Sequence, residues 1–186
     1  MKTKTAVLMI LSVIFIVILI GAALIFPKLS QAYEEDKNKS SFVQSDEMPA
    51  SDFTVYDENG KEVSLSDSYG KPIVVNFWAT WCGYCVKELP DFDALYKEYG
   101  DEIVFMMVDL PDGQRETESS ARSFIKEKGY SFPIYFDLNG SASKAYVENG
   151  IPVTVFIDKN GNLSEKHIGM MNANTLRKYL EKMVGE

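Results

Sequence analysis

The sequence predicts an α/β fold: a mixed central β-sheet flanked by helices, entered through an N-terminal β-hairpin. Three observations carry this reading. The runs "KPIVVNFWAT" and "EIVFMMVDL" are almost continuously apolar, as strands buried on both faces must be. Segments of helical periodicity alternate with such strands, which implies parallel crossovers and helices on both faces of the sheet. Two Asn-Gly dipeptides, Asn59-Gly60 and Asn160-Gly161, are turn signals between strand-like flanks, and the second implies an antiparallel edge.

Taken in order, "FTVYDENGKEVSLSD" alternates about Asn59-Gly60 and reads as the first hairpin. The buried strand "KPIVVNFWAT" follows. A helix then starts near Cys82, runs through "VKELPDFDALYKEYG" and stops at a glycine, with Pro90 expected to kink it. "EIVFMMVDL" is the next strand, with Met106 and Met107 in the core. "TESSARSFIKEKG" has helical periodicity and ends at Gly129. "SFPIYFD" is a short strand in which Pro133 is structural, and "SASKAYVEN" is a short helix. "IPVTVFIDKNGNLSEKHIG" forms the closing hairpin, with His167 on a surface strand. "NANTLRKYLEKMV" is an amphipathic helix capped by Asn172 or Asn174, and Met170-Met171 before it are expected to be exposed.

The first fifty residues are different. "MKTK" is a basic start, and Ala6–Phe26 is an uncharged apolar run, long enough at 1.5 Å per residue to cross a bilayer core of about 30 Å. A cleaved signal peptide has a shorter apolar core of about 7–15 residues. The reading is therefore a short cytoplasmic tail (1–5), a transmembrane signal anchor (6–26), a flexible tether (27–50) and a folded domain (51–186). Ser30-Gln31-Ala32 is an alternative cleavage site. Lysines flank the run on both sides, so charge bias alone does not set the orientation. The very short N-terminal tail favours export of the domain. No cysteine follows the run, which excludes a lipoprotein form. Acidic residues outnumber basic ones by 27 to 19, so a nucleic-acid partner is not expected.

The only two cysteines lie in "FWATWCGYCVKELP", as Cys82 and Cys85. Structural zinc needs four ligands, and the single histidine, His167, is far away in sequence. Haem attachment needs histidine directly after the second cysteine, where Val86 stands. A purely structural bridge closing so short a loop gains little in chain entropy, although it stays open as an alternative, as do two ordinary core cysteines. Redox exchange has positive support. Cys82 falls where a strand turns into a helix, with Gly83 easing the turn. Unpaired N–H groups and the positive end of the helix dipole there favour thiolate. Cys85 lies one helical turn behind and can attack a mixed disulfide.

With those residues in view, "VVNFWATWCGYCVKELP" followed by "NGIPVTVFIDKNG" resembles the thioredoxin superfamily, specifically its TlpA/ResA-like membrane-anchored thiol–disulfide oxidoreductases, over about Met48 to Val184. The resemblance implies a thioredoxin-like fold and a role for each matching position. Cys82 matches the attacking thiol and Cys85 the resolving thiol. Trp81 matches the flanking aromatic. Gly83 and Tyr84, between the cysteines, join the substrate surface. Pro152 matches a cis-proline opposite the disulfide, and Ile151 the residue whose backbone pairs with an extended substrate. Glu88, three residues after Cys85 and on its helix face, is the candidate proton acceptor for Cys85. Asn76 stands where cytoplasmic thioredoxins carry a buried aspartate, which leaves Glu88 or water as the base. Ala79 stands where a peroxidase on this fold would want threonine.

The expected function is therefore extracytoplasmic thiol–disulfide exchange that reduces disulfides in exported proteins. The resemblance implies clients such as apocytochromes c, sporulation proteins or methionine sulfoxide reductases, electrons from a membrane thiol transporter, and a monomer at the bacterial cell membrane. No cofactor beyond the Cys82–Cys85 pair and no metal is expected. The N-terminal hairpin and the family favour reduction, whereas Gly83-Tyr84 leaves the electron direction open. The alternatives are a disulfide-forming oxidase and a non-catalytic tethered binding module.

Overall fold

The computed structural model describes residues 48–185. The expected tail, anchor and nearly all of the tether lie outside those residues. Among the described residues no helix is long and apolar enough to cross a membrane. Residues expected at the end of the tether belong to the domain instead. The Ala50 N–H donates to the Gly161 carbonyl at 2.9 Å, and the Leu163 N–H to the Met48 carbonyl at 2.8 Å, so this segment closes on the second hairpin.

The chain alternates as expected. β1 (Thr54–Tyr56) and β2 (Glu62–Ser64) form the first hairpin, and a short 3-10 turn, Leu65–Ser68, follows. Then come β3 (Ile73–Trp78), α1 (Gly83–Tyr99), β4 (Val104–Asp109), α2 (Glu118–Lys128), β5 (Ile134–Phe136), α3 (Ser141–Tyr146), β6 (Val153–Ile157), β7 (Leu163–Ile168) and α4 (Ala173–Gly185). The sheet has seven strands in the order β2-β1-β5-β4-β3-β6-β7. β3, β4 and β5 are parallel, and β6 and β7 continue antiparallel on the far side of β3. The N-terminal hairpin extends the opposite edge through the antiparallel pair Tyr56–Phe136.

Both hairpin loops share one construction, wider than a two-residue Asn-Gly turn. Asp57 accepts hydrogen bonds from the N–H groups of Asn59 and Lys61, and Asp158 accepts from those of Asn160 and Asn162. Gly60 and Gly161 follow with φ of 74° and 88°, a region L side chains enter at a cost. An aspartate side chain thus does the work that a tight primed turn would otherwise do.

Alternation along β3 divides the core. Val74 and Trp78 pack with Leu89, Phe92 and Leu95 of α1, with Ala121 and Ile125 of α2, and with Leu176 and Leu180 of α4. Ile73, Val75 and Phe77 face the other way, onto Phe53, Leu65, and Ala142 and Tyr146 of α3. Helices therefore cover both faces, three on one and one short helix on the other. α1 continues through Pro90 to Tyr99, where Gly100 stops it without a positive φ. α2 ends as expected in a left-handed Gly129, and the Asn172 side chain accepts from the Thr175 N–H at the start of α4. Met171 departs from expectation: it is buried, while Met170 remains exposed.

Candidate functional site

The two cysteines sit where β3 hands over to α1. Cys82 is the N-cap of α1, and its Sγ accepts the Cys85 N–H at 3.1 Å, a donor the helix itself leaves unpaired. The two sulfurs are joined as a disulfide in this structure. Cys85 is fully buried, while Cys82 keeps a sliver of surface. The difference follows from position, since the cap residue lies at the helix mouth and the residue three further on turns inward.

The expected cis peptide is present at Ile151–Pro152. It carries the Ile151 carbonyl to 3.6 Å from Cys82 Sγ. Because that sulfur is in a disulfide and has no proton, this is a contact rather than a hydrogen bond. The Gly169 N–H donates to the Pro152 carbonyl and fixes the start of β6 against the end of β7. Trp81 and Tyr84 stand out at the rim, 45% and 65% exposed. The Arg115 guanidinium lies 4.2 Å from the Trp81 ring centre and the Lys87 ammonium 5.5 Å from that of Tyr84. Gly83 departs from the sequence reading. It is helical, its φ is not positive, and a Cβ there would meet open space, so the turn does not require glycine.

Behind Cys85 lies a buried polar cluster. Glu88 is completely buried on α1. Its Oε1 accepts from Asn76 Nδ2 at 2.8 Å and its Oε2 from the Met171 N–H at 2.8 Å. Asn76 Nδ2 also donates to Thr154 Oγ1 at 3.0 Å, across the β3–β6 register that places these residues opposite each other. Burial pushes the Glu88 carboxyl up to about 7, against the pull of its two donors. It is a group that can gain or lose a proton at neutral pH.

Most of the expected residues thus converge: Cys82, Cys85, Glu88, Asn76, Ile151 and Pro152 around the disulfide, with Trp81 and Tyr84 at its rim. Sequence reasoning missed four partners. Thr154 was signalled only by its place in the "PVTVFI" strand, and the Met171 N–H by nothing. Asp109 was readable as a charge at the end of an apolar run. Glu116 sits on a loop without a pattern. Asp109 and Glu116 are both buried, and Glu116 accepts hydrogen bonds from Thr80, two residues before Cys82.

A mixed sheet with a disulfide at the mouth of its first long helix, opposed by a cis-proline, defines a thioredoxin-like thiol–disulfide oxidoreductase. The model of the Redoxin family matches residues 44–183, and the chain belongs to that family. It is 34% identical to the thiol-disulfide oxidoreductase ResA of a Bacillus cereus strain over 174 residues, 92% of this chain and 94% of that one. The ResA of Bacillus subtilis is 32% identical over 145 residues, 76% of either chain. Among solved structures, StoA from Bacillus subtilis superposes with a TM-score of 0.61 at 27% identity, covering 70% of this chain and 96% of that one. The exposed lipoprotein thioredoxin Etrx1 of Streptococcus pneumoniae gives 0.62 at 33% identity, covering 71% and 99%.

Proposed function

We propose that this chain is a reductant of disulfides in exported proteins, apocytochrome c among the candidate clients. It works on the outer side of the cytoplasmic membrane, to which residues 6–26 anchor it, and a membrane thiol transporter supplies its electrons. The observation that carries the exchange chemistry is Glu88, buried one helical turn beyond Cys85 with a carboxyl poised near neutrality. A reductase needs a base for Cys85, because that thiol must become a nucleophile to finish the reaction. In the oxidising direction the same group, protonated, would hand its proton to the departing Cys85 thiolate, so Glu88 supports the exchange itself and the reducing direction is taken from the TlpA/ResA-like resemblance.

In the reduced protein the Cys82 thiolate attacks one sulfur of a client disulfide. A Cys82–client disulfide forms, and the other client sulfur leaves as thiolate and takes a proton from solvent. Glu88 then accepts the Cys85 proton, and the Cys85 thiolate attacks the Cys82 sulfur. The Cys82–Cys85 disulfide forms and the second client sulfur departs as thiolate, to be protonated in turn. Two electrons have passed to the client, and a dithiol donor restores the pair. The Ile151 carbonyl, beside Cys82, is placed to accept a backbone N–H from an extended client segment.

Replacing Cys85 by alanine in the full-length chain stalls this sequence at the mixed disulfide. We expect covalent adducts with exported, cysteine-containing proteins that dithiothreitol releases and that Cys82→Ser abolishes. Absence of any adduct, or adducts that persist in Cys82→Ser, would contradict the reading.

A further inference from the structure

Glu116 lies between β4 and α2 and has no exposed surface. Its Oε2 accepts from the Thr80 N–H at 2.5 Å and from Thr80 Oγ1 at 2.6 Å, and its Oε1 accepts from Ser120 Oγ at 2.7 Å. Two Thr80 donors point at Oε2, and Ser120 Oγ has one proton for two acceptors, Glu116 Oε1 and the Thr117 carbonyl, each 2.7 Å away. Thr80 stands two residues before Cys82, at most about 7.6 Å of Cα trace. The loop that carries Glu116 also carries Arg115, which stacks on Trp81. One loop therefore grips both residues that lead into the Cys82 turn.

The surrounding charges do not neutralise Glu116. Arg115 is tied to Asp112, Oδ2 to Nε at 3.1 Å, and Arg122 is paired with Glu118 along α2. Among the described residues no ion pair reaches Glu116 itself. Asp109 registers the charge from the other side. It is buried at the end of β4, neither of its carboxyl oxygens has a hydrogen-bond partner, and burial followed by the Glu116 charge pushes it up to about 8. Near neutral pH Asp109 therefore holds a proton, and the Glu116 carboxyl, gripped by Thr80, stands beside the turn.

We propose that Glu116 is a positioning residue that tunes Cys82: through Thr80 it fixes the turn into the Cys82–Cys85 helix, and its buried charge opposes the Cys82 thiolate and so strengthens the pair as a reductant. The physical link is direct. A like charge disfavours ionisation of the thiol, and whatever destabilises the reduced form lowers the potential of the couple. The inference rests on Cys82 being the attacking thiol.

Two substitutions at opposite ends of one hydrogen bond test it. In Glu116→Gln the amide oxygen can still accept from Thr80 while the charge is gone. In Thr80→Val the charge stays but loses its hydroxyl donor, so it presses harder on the thiolate. The readout is iodoacetamide alkylation of the reduced protein from pH 5 to 10, with the modified cysteine mapped by mass spectrometry. We expect Cys82 in Glu116→Gln to react about three- to tenfold faster at pH 7, its titration shifted to lower pH, and Cys82 in Thr80→Val to react several-fold slower. The potential should rise in Glu116→Gln, by about 30 mV for a tenfold change in the exchange equilibrium. A clamp that is merely structural moves both variants in the same direction. Shifts of equal sign, or none, would overturn the proposal. Should one variant not fold, the sign of the other decides. The Cys82→Ser chain separates the two claims: a fast-reacting thiol that survives in it removes the assignment of Cys82, whereas unchanged Glu116→Gln kinetics with Cys82 still the fast thiol remove only the role of Glu116.

Discussion

Glu88 is held by Asn76 Nδ2 and the Met171 N–H, which favour its carboxylate, while burial resists the charge and leaves the group near 7. A base of that strength is half available at neutral pH, and below about 7 it already carries a proton and cannot take one from Cys85. The release step should therefore slow as pH falls through that value. Glu88→Gln should slow release by about a hundredfold, the low end of what a positioned base contributes, and should remove the break near 7, leaving the unassisted ionisation of Cys85 to set the pH dependence. Rapid-quench detection of the mixed disulfide across pH 5–8 checks both. Asp109 supports a stability prediction of the same kind. Below about pH 4 it is protonated whether folded or unfolded; between about 4 and 8 the unfolded chain loses the proton and the folded chain keeps it. Stability from this group is thus full in acid and is lost as pH rises towards 8. Asp109→Asn should narrow the fall in Tm between pH 5.5 and 8.5, measured by scanning calorimetry. Glu88 could be read from sequence because it shares a helix face with Cys85. Asp109 and Glu116 could not be read as a pair, since a loop with no periodicity brings them together.

At the scale of elements, α1 organises more than the cysteines. Its Glu88 and Asp91 accept from the N–H groups of Met171 and Ala173, and Glu98 pairs with Arg177, so α1 holds both the entry and the first turns of α4. The two hairpin loops offer a contrast with the same backbone in different surroundings. Gly60 is open on its outer side, whereas a Cβ on Gly161 would fall 2.6 Å from the Tyr69 ring. Gly60→Ala should cost about 1 kcal/mol for its left-handed backbone alone, and Gly161→Ala clearly more, because the ring must also move. Urea midpoints of the two variants, read side by side, check this; equal losses would contradict it. These loops show what pattern reading delivers. Asn-Gly flanked by alternation located both hairpins, while the bracing Asp57 and Asp158 emerged only from the backbone bonds. The 3-10 turn at Leu65–Ser68 is too short to carry a period. The pairing of β1 with β5 joins segments about eighty residues apart, and nothing local announces it.

For the molecule as a whole, the fold was legible because each buried strand is written as an apolar run and each covering helix as a stripe. The two-sided core then follows from strand alternation. The site was legible where its residues share one helix or one motif, and illegible where it draws on the β4–α2 loop and on the chain just before α4. Buried acidic groups flank the redox turn: Glu88 one helical turn beyond Cys85, and Glu116 on Thr80, two residues before Cys82. A carboxylate beside the turn disfavours the Cys82 thiolate and so favours the disulfide, the balance of a reductant. The reduction potential of the Cys82–Cys85 pair, measured against a dithiothreitol or glutathione redox ladder, tests this most directly. A reductant should give a value below about −250 mV; a value near −120 mV, where strongly oxidising pairs lie, would contradict the reducing role.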